Sequence, residues 1–193
     1  MKISILILAA GSSSRLGQPK QLVEFEGQTL IERITHTALL VSDKVSIVLG
    51  ANIELIKPVL EVFSNRINLI ENPDWQEGMG TSIRIGVENL AEKSEAILIL
   101  LVDQPLISQV FLQSIVQTFA EEKMPIVASN YGDQLGVPIL FDKVFFPELL
   151  KLKGEQGAKA FLKNYPEKTA SISFKDGLFD IDIPKDLEKL YSL

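Results

Sequence analysis

The stretch from Ile3 to Lys20, ISILILAAGSSSRLGQPK, constrains the chain most strongly. Ile3, Ile5, Leu6, Ile7 and Leu8 form a near-continuous apolar run. Such a run suits a strand covered on both faces, as in the parallel sheets of α/β domains. Polar groups are thereby pushed to the strand's end. Ala9, Ala10, Gly11, Ser12, Ser13 and Ser14 carry little bulk, so successive backbone N–H groups can turn inward around an anion. Arg15 and Lys20 follow as fixed cations, one a planar fork and the other a point charge. Neither standard glycine motif fits: Gly17 is followed by Gln18 rather than Lys, and there is no GxGxxG. The stretch therefore reads either as a phosphate-binding loop of another kind or as a Gly/Ser surface loop with two solvated cations.

Composition narrows the chemistry. A chain of 193 residues with 46% hydrophobic content reads as one domain, 1–193, able to bury a core without staples. No run approaches the roughly 18 apolar residues of a membrane span, and one Lys followed directly by a strand pattern does not read as a secretion signal. The expectation is a cytoplasmic protein without a membrane partner. Zero cysteines exclude disulfides and thiolate chemistry, and a single histidine leaves little room for a His-based metal cluster or a Ser-His-Asp triad. A net charge of −6 argues against nucleic acid. A small phosphorylated ligand needs only two or three local cations.

Strand-like runs recur at 3–9, 45–50, 67–71, 96–102, 125–129, 137–141 and 169–173. Stretches of helical periodicity lie between most of them, which argues for a layered α/β fold with a mostly parallel sheet. The first helix starts at Thr29, where Thr29 and Glu32 have capping-box spacing. His36 on this helix reads as solvated or structural. A second helix near 53–64 contains Pro58 and is expected to kink or divide there. Further helices are expected at 81–91, 108–122, 143–151, 155–164 and 184–191.

In open α/β sheets, ligands sit outside the carboxyl ends of the strands, so residues there are read first. The run AILILLVDQP ends abruptly at Asp103, which reads as a hard oxygen ligand for Mg²⁺ or as a turn cap before Pro105. Near the C-terminus, FDIDIPKDLEKL sets Asp180 and Asp182 two residues apart, so both can point the same way and join Asp103 across the sheet. The alternative is acidic dressing of the last helix's N-terminus. NPDWQEGMGTSIRIG at 72–86 holds Asn72, the only Trp (Trp75), Gly78, Met79 and Ser82. An aromatic beside a helix start can stack a planar ring, or it can simply plug the surface. GDQLGVPILF at 132–141 reads as a loop or hairpin shaped by Gly136 and Pro138.

Taken in order, LAAGSSSRLGQPK, NPDWQEGMGTS, LVDQP, LGVPILF, GEQGAKAFL and DIDIP resemble the molybdenum cofactor cytidylyltransferases, nucleotidyltransferases related to molybdenum cofactor guanylyltransferase. The resemblance spans almost the whole chain. Its first motif is common to many nucleotidyltransferases, while NPxWxxGM is more discriminating. Guanylyltransferases usually carry LAGG where this chain has Leu8, Ala9, Ala10 and Gly11, so Ala10 favours CTP over GTP.

The resemblance implies a Rossmann-like nucleotidyltransferase fold. Leu8 to Ser12, Ser14, Arg15, Lys20, Gly78 and Ser82 would hold the nucleotide, and Mg²⁺ would bridge its triphosphate to Asp103 and Asp182, with Asp180 nearby. Arg15, Lys20 and Asp103 would carry catalysis. Asn72, Trp75, Met79, Gly136 and Pro138 would face a molybdopterin-type phosphorylated acceptor. A terminal phosphate on that pterin would attack the α-phosphorus of CTP. Such a nucleophile is already anionic near neutrality, so no strong base is needed and the scarcity of His and Cys is explained. Two positions depart from the family pattern: the GxP loop lacks the usual Arg and His, and Ile183 stands where Thr is usual. Other readings are guanylyl transfer to the same cofactor, nucleotidyl transfer to another phosphorylated acceptor, and a non-catalytic chaperone that hands the cofactor to a molybdenum hydroxylase.

Overall fold

The apolar run at the N-terminus forms strand β1 (Ile3–Ala9), buried from Ser4 onward. In the computed structural model, which describes residues 1–132 and 134–192, this strand is central to a seven-stranded sheet. The hairpin β2 (Glu24–Phe25) and β3 (Gln28–Thr29) follows it. The remaining strands are β4 (Val45–Leu49), β5 (Ile67–Glu71), β6 (Ala96–Leu101), β7 (Ile126–Asn130), β8 (Leu135–Asp142) and β9 (Thr169–Ser173). The sheet order is β5-β4-β1-β6-β8-β7-β9. Pairing is parallel from β5 through β6 and between β7 and β9, while β8 runs antiparallel to both neighbours.

All seven strand-like runs of the sequence are strands of this mixed sheet, with ends shifted by one or two residues. The short hairpin was not anticipated, because two-residue strands carry no periodicity to read.

Alternation along β1 explains why its sequence is apolar throughout. Ile5 and Ile7 face one layer, formed by α1 (Leu30–Leu39) and α4 (Gln109–Glu122). Leu6 and Leu8 face the other, formed by α3 (Met79–Leu90), α5 (Phe146–Leu149) and α6 (Lys159–Asn164). The capping box of α1 forms as its spacing predicts: the Thr29 hydroxyl accepts from the Glu32 N–H and the Glu32 carboxylate accepts from the Thr29 N–H at 2.9 Å. His36 is exposed on that helix.

The expected helix at 53–64 divides at Pro58, as α2 (Ile53–Ile56) followed by a 3-10 segment over Lys57–Phe63. Two other helices are shorter than expected. The segment 143–151 is a 3-10 turn leading into α5, and 155–164 is helical only from Lys159. Proline ends the options in the first case, since Pro147 has no N–H to give and sits in the first turn. Helix α7 (Pro184–Leu190) closes the chain with proline at its start. Among the described residues no helix is long and apolar enough to cross a membrane.

Candidate functional site

The loop after β1 uses its polar atoms unevenly. The Ala10 carbonyl accepts from the Ala51 N–H at 2.9 Å. The Gln21 side-chain amide donates to the carbonyls of Ala9 at 2.7 Å and Gly11 at 3.0 Å. Three successive acceptors are thus occupied. The backbone N–H groups of Gly11, Ser12, Ser13, Ser14 and Arg15, by contrast, donate to nothing among the described residues. Ser13 sits in the left-handed region (φ 56°), where its carbonyl accepts from Leu16 and Gly17 and its hydroxyl accepts from the Lys20 N–H. A non-glycine residue held there is a local strain that the surrounding bonds must support. The first carbonyls of the loop are thus held back while the N–H groups that follow stay available, an arrangement suited to an anion.

Two aspartates face this cradle. Asp103 stands just past β6, beside β1 in register (Leu8 opposite Leu101). The Ile181 N–H donates to the Asp103 carbonyl at 3.0 Å and so brings Asp182 alongside. Lys20 Nζ bridges the pair, 2.9 Å from Asp103 Oδ2 and 2.7 Å from Asp182 Oδ1, while Arg15 reaches Asp182 Oδ2 at 3.1 Å. Burial alone would lower the pKa of the Lys20 ammonium; attraction to Asp103 and Asp182 outweighs it and raises the pKa above the ordinary lysine value. Asp180 is exposed, yet partial desolvation and the nearby charges of Asp103 and Asp182 push its carboxyl upward.

Asp103 Oδ1 is buried without a hydrogen-bond partner. An orphaned carboxylate oxygen next to a second carboxylate is a fit for a hard cation. Among the described residues no group of three or more His, Cys, Asp or Glu side chains is gathered to hold a metal, so Asp103 and Asp182 would need ligand oxygens to complete a coordination shell.

The opposite wall comes from the tryptophan segment. Gly78, at φ 115°, caps α3, and a Cβ there would lie 2.5 Å from the Gly154 carbonyl carbon, so this turn requires glycine. The Gly80 N–H donates to the Gly154 carbonyl at 2.8 Å, which ties the GEQG segment to the start of α3. Together these parts enclose a cleft of about 460 Å³.

Of the residues singled out in the sequence, Leu8, Ala9, Ala10, Gly11, Ser12, Ser14, Arg15, Lys20, Trp75, Gly78, Met79, Ser82, Asp103 and Asp182 line this one cleft. Asn72, Gly136, Pro138 and Asp180 do not. Asn72 is 3% exposed, donates to Thr81 Oγ1 and Ser82 Oγ, and accepts from the Asp74 N–H, so it fastens the Trp75 turn to α3. Gly136 makes room for the Tyr131 ring, 2.5 Å from where its Cβ would be, and the Pro138 carbonyl accepts from Ser129. Asp133, within the GDQLGVPILF stretch, lies outside the described residues.

Ser13, Gln21, Gln76, Leu101, Val102 and Glu155 also line the cleft and were not singled out as site residues. Gln21 had one legible signal, a polar amide directly after Lys20 and before the apolar pair Leu22 and Val23.

A loop that offers donors, set against paired carboxylates at the carboxyl edge of an α/β sheet, suits a nucleoside triphosphate, and the molecule is a nucleotidyltransferase. The chain belongs to the MobA-like NTP transferase domain family, whose pattern matches residues 5–169. It is 31% identical over 196 residues to nicotine blue oxidoreductase of Paenarthrobacter nicotinovorans, covering 97% of this chain and 94% of that protein. It is 30% identical over 195 residues to the purine catabolism protein PucB of Bacillus subtilis, covering 95% and 93%. Its fold superposes on Rv0371c of Mycobacterium tuberculosis with a TM-score of 0.84 at 22% identity, over 100% of both chains. A manganese complex of Rv0371c superposes at 0.78 and 21% identity, over 100% of this chain and 99% of the other. These two likenesses bear on the fold, which is the Rossmann-like nucleotidyltransferase arrangement the sequence predicted.

Proposed function

We propose that the protein transfers CMP from CTP to the terminal phosphate of molybdopterin or its molybdenum form, releasing pyrophosphate, in a reaction that depends on Mg²⁺. The observation that carries the reading is the set of free amides from Gly11 to Arg15 facing Asp103 and Asp182. Those amides and Arg15 would bind the triphosphate oxygens. A divalent cation held by Asp103 and Asp182 would supply neutralisation of phosphate charge, and the manganese complex of Rv0371c supports a metal at a site of this fold. Lys20, between the two carboxylates, would turn part of its charge toward the bound triphosphate.

The acceptor phosphate oxygen attacks the α-phosphorus, the bond from the α-phosphorus to the bridging oxygen breaks, and the electron pair leaves on pyrophosphate. The chain's task is positioning and charge stabilisation, with no proton to abstract from the nucleophile. CTP is favoured by Ala10. Its side chain is buried and packs with that of Trp75 over Gly50. The guanylyltransferases usually carry glycine where this chain has Ala10.

The test incubates the protein with Mg²⁺, molybdopterin and CTP, GTP or ATP in separate reactions. Pyrophosphate release with CTP is the expected result; release only with GTP, or only with another phosphorylated acceptor, replaces the substrate assignment.

A further inference from the structure

We infer that Gln21 is the positioning residue that gives the phosphate loop its polarity; this rests on the triphosphate reading of the cleft. Its side chain is 1% exposed, and both hydrogens of its amide are engaged, one on the Ala9 carbonyl and one on the Gly11 carbonyl. The amide orientation is fixed by these partners, because the flipped form would set Oε1 against two other acceptors. Gln21 Oε1 is buried and meets no donor among the described residues. The bonds that Gln21 does make hold two loop carbonyls back, and the Ala51 N–H holds the carbonyl between them. With those three acceptors held at the start of the loop, the N–H groups of Gly11 to Arg15, which have no partner among the described residues, are left for a ligand. Gln21 thus acts through the backbone, without contact to the reacting atoms, and no cation could replace it: a lysine would hold the carbonyls but add charge beside Lys20.

The consequence is measurable apart from turnover. Gln21→Leu and Gln21→Met keep the volume and remove both donors. Isothermal titration with inorganic triphosphate, and amide NMR of the loop without ligand, are read on wild type and both variants. Both variants are expected to bind triphosphate about tenfold more weakly, and the resonances of Gly11 to Arg15 should shift or broaden before any ligand is added. KM for the nucleotide should rise more than kcat falls. A folded variant with wild-type triphosphate affinity and unchanged loop resonances overturns the assignment. Wild-type protein supplies a check that needs no variant: its Gln21 side-chain protons should exchange slowly with solvent, and fast exchange also contradicts the proposal. If wild type fails to bind triphosphate while the loop resonances still depend on Gln21, the nucleotide reading falls and the role of Gln21 in ordering the loop stands.

Discussion

The loop from Ala10 to Lys20, which follows β1, and the segment from Asn130 to Pro138, which runs from the end of β7 into β8, each hold two glycines, yet they spend their polar groups in opposite ways. In the first, the carbonyls of Ala9, Ala10 and Gly11 are occupied, and the five N–H groups from Gly11 to Arg15 have no partner among the described residues. In the second, groups of the described residues pair with one another and with Gln104: the Tyr131 N–H donates to the Gln134 carbonyl, the Gly132 N–H to Asn130 Oδ1, the Tyr131 hydroxyl to the Val137 carbonyl, and Gln104 Nε2 to the Tyr131 hydroxyl. Burial drives the Tyr131 phenol up to about 12, which keeps it a neutral donor at any physiological pH. Glycine content marks both segments as turns. Only the hydrogen-bond account separates a turn that can take a ligand from one that holds itself together.

Substitutions on the two sides should separate cleanly. The largest effect is expected from Asp103→Ala, which removes the orphaned oxygen and should lower turnover by roughly 10²–10³-fold while circular dichroism shows an intact fold. Normal turnover would remove Asp103 from the cation site. Lys20→Met should weaken the apparent affinity for CTP about tenfold, the scale of one charge-assisted hydrogen bond. The same variant gives a pH test. Because the folded pKa of Lys20 is raised, its stabilising contribution is fully present below about pH 10.4, the ordinary lysine value, and is lost as pH rises through the folded value. The melting difference between wild type and Lys20→Met should therefore stay constant through neutrality and shrink only in that alkaline window.

On the other side of the comparison, Tyr131→Phe should cost about 1 kcal/mol of stability, from the lost bond to the Val137 carbonyl, and leave nucleotide affinity unchanged. An altered affinity would make the hairpin part of the nucleotide site. The smallest effect belongs to Asp180→Asn. Desolvation and the charges of Asp103 and Asp182 raise the Asp180 carboxyl, so its ionised form is a burden on the folded state above its folded pKa and none below the unfolded one. The variant should melt about 1 °C higher at neutral pH, with the gain vanishing in acid.

Much of this was legible in the residues. The seven strands follow from apolar runs, and the cap of α1 follows from Thr29 and Glu32. Asp103 and Asp182 were readable as candidates because each stands where an α/β sheet presents its ligands, although a turn cap and acidic dressing of a helix start explain the same residues from sequence alone. What sequence cannot announce is which polar atoms satisfy one another. Asn72 sits within the most discriminating motif, and its amide is spent on Thr81 and Ser82. Gln21 belongs to no chemical motif of its own, and its amide holds the loop's first carbonyls. Asp180 and Asp182 share a period-two spacing, but only Asp182 meets Lys20 and Arg15, because the bond from Ile181 to Asp103 fixes how the segment lies. Glu155 reaches the cleft through the contact of Gly78 and Gly80 with Gly154, a pairing of segments more than seventy residues apart that no local pattern encodes.

The central claim is that the loop after β1 grips the triphosphate and the hairpin before β8 does not. An amide NMR titration of the wild-type protein with CTP and Mg²⁺ tests it directly. The largest shifts are predicted at Gly11, Ser12, Ser13, Ser14 and Arg15, with Tyr131, Gly132 and Gly136 unmoved; large shifts in the hairpin with a silent loop would contradict the account.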